Sequence, residues 1–289
     1  MKRRPSAYVR MNGRMRRCGV LPYIESENGV YIYVEDIDPG MGKPILFIHG
    51  WPVNQRMFEY QFDVLPRFGY RCIAMDLRGF GRSSSPWTGY TYDRMSDDVR
   101  AVVEAYRLRD FTLAGFSVGG AISIRYMARH GGYGVRKLGL VSAAGPVFTK
   151  RPDYPYGLPV ESVNDLLRQT LADRPKMLEG FSKDFFAVPH SEPYMKWFGD
   201  LGLQASGHGT YGTLVALRDE DLRRDLPRIR VPTVIFHGAH DKIVPFESAQ
   251  EMHRSIAGSQ LYRFEKSGHG LYYDELETFN STFLKFLQK

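Results

Sequence analysis

Three residues, Ser117, Asp241 and His269, have the types and the spacing to do chemistry together. Ser117 stands in residues 112–120, TLAGFSVGG, where an apolar run meets small residues on both sides of a hydroxyl. Residues 115–119 match G-x-S-x-G between a strand-like run and a helix-like segment, the context that the motif requires. A serine on a sharp strand-to-helix turn sits at strained backbone angles. Small residues two before and two after it let strand and helix approach. The turn lifts Oγ clear and aims the first helical N–H groups at whatever Oγ attacks. The same letters also fit a plain buried serine in a glycine-rich turn, so the rest of the chain must decide.

A serine hydroxyl needs a base, and the base needs an orienting acid. At such a turn the partners follow in the order serine, acid, histidine. Of the eight histidines, His269 lies between two glycines in a loop after a strand-like run, KSGHGLYYDE, before the last helix. Of the others, His253 and His130 fall in helical segments, and His190 and His208 in the middle insertion. Asp241 follows the run TVIFHG, one helix and one strand ahead of His269. The rival position, after KLGLVSA, carries no carboxylate. His240 is expected to point elsewhere, as a hydrogen-bonded loop residue. The developing oxyanion needs two aimed donors. The backbone N–H of Val118 is one. The other belongs to the loop His49-Gly50-Trp51-Pro52, where proline has no N–H and Trp51 does. His49 is read as structural, bonding loop carbonyls. The Trp51 side chain either walls an acyl pocket or only packs.

These residues require a scaffold of buried strands. Apolar runs of strand length recur at 29–36, 43–50, 71–76, 111–117, 137–143, 232–238 and 260–266. Helical spacing fills most of the gaps; Met95, Val99, Val102, Val103 and Tyr106 share one face of 93–108. Strands apolar on both faces, alternating with helices, predict an α/β fold with a mostly parallel sheet flanked by helices. Residues 146–226 lack a clear strand and are rich in aromatics and prolines, which predicts a helical cap insertion. Its aromatics are read mainly as its own core. The expected organisation is a basic tail at 1–24, a core at 25–145 and 227–289, and the cap at 146–226.

The formal net charge is +7, yet all of it lies before residue 18, in Lys2, Arg3, Arg4, Arg10, Arg14, Arg16 and Arg17. The remainder is neutral, so the basic balance gives no nucleic-acid-binding surface on the body. The tail has no apolar stretch of a secretory signal and is read as a solvated arm. No apolar run approaches the ~18 residues of a membrane span. Two cysteines, Cys18 in the tail and Cys72 in a strand-like run, argue against a disulfide and for a reducing, cytoplasmic setting. No CxxC or HExxH signals a metal, and no cofactor is expected.

FIHGWP, DLRGFGRSSSP, LAGFSVGG, HGAHDKIVP and SGHG come in the order and spacing of the α/β-hydrolase superfamily, which the chain resembles over roughly residues 25–289. Within it the chain looks most like the cofactor-free haloperoxidase, perhydrolase and esterase group. The resemblance carries the catalytic roles onto Ser117, Asp241 and His269, and the oxyanion donors onto Trp51 and Val118. In that group a methionine commonly follows the nucleophile; here it is Val118. Asp76, Arg78, Gly79, Gly81 and Ser83 match a family loop expected to be structural. Three functions compete. The first is a serine hydrolase acting on a small carboxylic ester or related acyl substrate. The second is a perhydrolase that makes peracids from a carboxylic acid and hydrogen peroxide. The third is a ligand receptor on a hydrolase fold, which the intact triad disfavours.

Overall fold

All seven strand-like runs become strands of one sheet. The computed structural model describes residues 22–289 except 38, 39 and 41, together with two short strands near the start, β1 (Tyr8–Met11) and β2 (Arg14–Arg17). These two pair antiparallel in a sheet of their own. The segment read as a solvated arm therefore contains two paired strands; Tyr8 and Val9 are residues that favour extended backbone. The main sheet begins with β3 (Tyr23–Glu27) and β4 (Val30–Ile37). It continues with β5 (Lys43–Ile48), β6 (Tyr70–Met75), β7 (Phe111–Phe116), β8 (Val135–Val141), β9 (Thr233–Gly238) and β10 (Gln260–Phe264).

The spatial order is β10-β9-β8-β7-β5-β6-β4-β3. Pairing is parallel from β10 to β6, and antiparallel only where β4 meets β6 and β3 meets β4. Central strands such as β7 and β9 are buried at every position, because helices cover both faces. β3 was not foreseen. Its sequence YIESE alternates half-buried with exposed residues at the sheet's edge, and it starts two residues inside the stretch read as tail.

The helices are α1 (Glu59–Phe62), α2 (Tyr92–Ala105), α3 (Val118–Arg129), α4 (Val160–Ser182), α5 (Glu192–Leu203), α6 (Gly207–Asp219), α7 (Phe246–Ser255), α8 (Leu271–Asp274) and α9 (Leu276–Gln288). Thr91 caps α2 by accepting the Arg94 N–H, and its foreseen apolar face is buried. In α9, Phe279 and Phe283 pack edge-on against Phe236 of β9. α4 to α6 all fall between β8 and β9, and the strand pairing within 146–226 amounts to isolated bridges. α4 kinks at Asp173, two residues before Pro175, and Asp173 Oδ1 caps the second half through Lys176 N–H. Cys72 is buried in β6; Cys18 lies outside the described residues. Among the described residues no helix is long and apolar enough to cross a membrane.

Candidate active site

β7 ends at Phe116 and α3 begins at Val118, which leaves Ser117 alone on the turn. Its φ of 52° and ψ of −119° lie where side-chain-bearing residues rarely go, a strain of roughly 1–3 kcal/mol. Backbone bonds hold it there. Ser117 N–H donates to Val141 O at 3.0 Å, and Ser117 O accepts from Gly120, Ala121 and Ala144. The glycines of the motif answer a steric demand. A Cβ on Gly115 would lie 2.4 Å from Gly119 O, and one on Gly119 would lie 2.3 Å from Ile48 O. Any larger residue would push the strand, the helix or the neighbouring loop away from the serine.

His269 and Asp241 are brought together as their spacing implied. His269 Nδ1–H donates to Asp241 Oδ2 at 2.7 Å, and both side chains are sealed from solvent. Asp241 Oδ1 accepts the N–H groups of Ile243 and Val244, at 2.9 and 2.8 Å. Burial alone would raise this carboxyl's pKa. The charge of His269, and hydrogen bonds from His237 and His269, overcome burial and hold it below the usual carboxylate range. The other ring nitrogen, His269 Nε2, is buried and has no hydrogen-bond partner among the described residues.

One short segment links serine to histidine. Ser117 is bonded through its backbone to Val141 and Ala144. Between them, Ser142 Oγ donates to His269 O at 2.9 Å. The Phe116 ring lies 4.9 Å from the imidazole.

The expected donors flank the serine. Val118 N–H opens α3, and neither it nor Trp51 N–H makes a hydrogen bond among the described residues. A Cβ on Gly50 would sit 3.0 Å from Ser117 Cβ, so the loop carrying Trp51 runs directly against the turn. The Trp51 indole donates to Thr210 O at 3.1 Å and meets the Phe181 ring at 4.8 Å, so it packs against the insertion.

His49 is structural, as expected. Its Nδ1–H donates to Gly50 O, while Nε2 accepts Leu77 N–H, both at 2.9 Å. Burial lowers its pKa to about 4, against a smaller opposing effect of the Gly50 bond. Asp76 accepts the N–H groups of Gln55 and Arg82 and so knits the family loop under the site. Arg78 is buried there in a bidentate pair with Asp98. His240 is a hydrogen-bonded loop residue outside the site, as expected: it is exposed and bonds through its backbone N–H to Ser267 O. His237, which the sequence did not single out, packs against the acid. Its Nε2–H donates to Val244 O at 2.8 Å and lies 3.3 Å from Asp241 Oδ2. Its position four residues before Asp241 was the only available signal.

The insertion's aromatics divide in two. Tyr194 stacks on Tyr273 at 3.7 Å, and Phe186 meets Phe198 at 5.1 Å, which is packing. Phe185, by contrast, stands edge-on to His269 at 5.0 Å and meets Phe116 at 5.8 Å. Sequence alone does not separate these two groups, since both are phenylalanines and tyrosines in one insertion.

Residues 43–276 match the family model described as the alpha/beta hydrolase fold. The chain is 52% identical to the AB hydrolase superfamily protein YisY of Bacillus subtilis, over 91% of this chain and 98% of that protein. An esterase from Exiguobacterium antarcticum superposes with a TM-score of 0.90 at 48% identity, covering 92% of this chain and 99% of that one. A bromoperoxidase from Bacillus anthracis superposes with a TM-score of 0.88 at 36% identity, covering 92% and 99%. The chain belongs to the alpha/beta hydrolase fold family and is an enzyme of that family.

Proposed function

We propose that the chain hydrolyses a small carboxylic ester or related acyl compound through an acyl-enzyme on Ser117. The observation that carries this reading is the buried His269–Asp241 bond with Nε2 left unpartnered, in a loop bonded through Ser142 to the segment that holds a serine at φ 52°. Ser117 Oγ attacks the acyl carbon as His269 Nε2 takes its proton. The oxyanion is met by the N–H groups of Val118 and Trp51. His269 then returns the proton to the leaving alcohol oxygen, and the acyl group stays on Oγ. Water then loses a proton to Nε2 and attacks the acyl carbon; the bond to Ser117 Oγ breaks, Nε2 returns the proton to Oγ, and the acid leaves. Asp241 holds the tautomer and stabilises the imidazolium without taking the proton.

Residues 146–226 act as the cap, with Phe181 and Phe185 closing over the site. Ser117 is only 5% exposed, which favours a short acyl group. The setting is a reducing one. The test is a panel of p-nitrophenyl esters of rising chain length, with a serine-directed phosphonate and mass spectrometry of the labelled protein. The expected result is turnover that falls with chain length and a label on Ser117. A label elsewhere, with turnover intact, overturns the reading.

A second reading is favoured by the similarity to a protein named a bromoperoxidase. Hydrogen peroxide in place of water would release a peracid from the same acyl-enzyme. Acetate, peroxide and bromide assayed together separate the two. Fast aryl acetate turnover without bromination leaves hydrolysis alone.

A further inference from the structure

A second carboxylate–imidazole pair joins the His269 loop to the segment between α4 and α5. Asp274, the last residue of α8, has a fully buried side chain. Its Oδ1 lies 2.7 Å from His190 Nε2. Its Oδ2 accepts two backbone N–H groups, from Gly268 at 2.7 Å and from Ala187 at 2.9 Å. Gly268 directly precedes His269.

The residue after the base is tied to the same segment. Gly270 N–H donates to Phe185 O at 2.8 Å. A Cβ on Gly268 would lie 2.9 Å from Ala187 N, and one on Gly270 would lie 2.3 Å from the Phe186 ring. Both neighbours of His269 therefore lie against residues 185–187, and the His190 ring is boxed by Tyr273 and Phe186. The stem of the loop has its own anchor: Glu275 Oε2 accepts from Lys266 N–H and Ser267 Oγ. Asp274 binds the tip, where the base is, alongside the bonds from Ser142 to His269 O and from Gly270 to Phe185 O.

We propose that Asp274 is a positioning residue for His269, and that it ties the base to the cap through Ala187 and His190. The proposal rests on the reading of His269 as the general base. A buried carboxylate that accepts three hydrogen bonds is a stiff strut, and a base displaced by about 1 Å loses on the order of 100-fold in rate. The cap and the base are thereby bound to one carboxylate.

The test uses the full chain with a p-nitrophenyl ester and the phosphonate. Asp274→Ala removes all three contacts. It is expected to lower kcat about 10- to 100-fold in folded protein, and to slow phosphonate labelling of Ser117 in proportion. Asp274→Asn restores most of the loss. Its carbonyl oxygen still accepts both N–H groups, and its NH2 can donate to His190 Nε2 in the other ring tautomer. Should alanine prevent folding, Asp274→Glu carries the test, since it keeps the charge but shifts the oxygens; the same loss of kcat is expected. A folded Ala or Glu variant with wild-type kcat, or an Asn variant no better than Ala, overturns the proposal. If instead Ser117→Ala keeps full turnover, the serine-hydrolase reading fails, whatever Asp274 does.

Discussion

Asp76 and Asp241 each follow the C-terminal end of a parallel strand, and both are buried. Burial pushes both carboxyls up, yet they end on opposite sides of the ordinary value. Asp76 is raised from 3.8 to about 6, because the backbone N–H groups of Arg82 and Gln55 only partly offset desolvation. Asp241 is lowered, because two imidazoles face it. Amide dipoles satisfy a carboxylate's lone pairs, whereas an adjacent imidazole also rewards its charge. The same residue type after a strand thus meets backbone amides alone in one loop and an imidazole as well in the other. Partners decide the role, and depth does not.

Substitutions break this contrast in order of size. Ser117→Ala or His269→Ala should lower kcat by about 10⁴-fold or more. Asp241→Asn should cost nearly as much, on the order of 10⁴-fold, since the amide no longer holds the imidazole in the required tautomer. A value within about threefold of wild type in ester kinetics would remove Asp241 from the acid role. Asp76→Asn should behave in the opposite way. It should leave kcat within about threefold and lower stability by about 1–3 kcal/mol, as one backbone N–H loses its acceptor. Urea unfolding and steady-state kinetics on one preparation check both halves.

The smallest effect is a dependence on pH. The folded pKa of Asp76 is raised, so its contribution to stability is full below about 3.8 and is lost as pH rises through about 6. The deficit of Asp76→Asn, measured by urea unfolding, should therefore shrink between about pH 4 and pH 7. Asp241 has the other sign. Its contribution is present above the ordinary carboxylate value and fades as pH falls through its depressed folded value. A deficit of Asp76→Asn that grows with pH would contradict the contrast.

Much of this was legible in the sequence, for identifiable reasons. Buried parallel strands read as continuous apolar runs, so seven of the eight strands of the main sheet stood out. β3 did not, because an edge strand needs only alternate burial and YIESE carries few apolar residues. The spacing of Asp241 and His269 was readable because one helix and one strand bring two strand ends side by side. His237 and Asp274 were not readable in the same way. A histidine in a strand and an aspartate at the end of a short helix give no local sign of what folds against them. Nor did the insertion's composition reveal that Phe185 stands against the imidazole while Phe186 and Tyr194 serve the packing.

A crystal structure of the phosphonate-treated protein tests the central claim most directly. The account predicts phosphorus bonded to Ser117 Oγ and its oxygen within about 2.7–3.1 Å of the N–H groups of Val118 and Trp51. His269 Nε2 should lie within hydrogen-bond reach of the serine oxygen. An adduct on another residue, or an imidazole turned away from a modified Ser117, would contradict it.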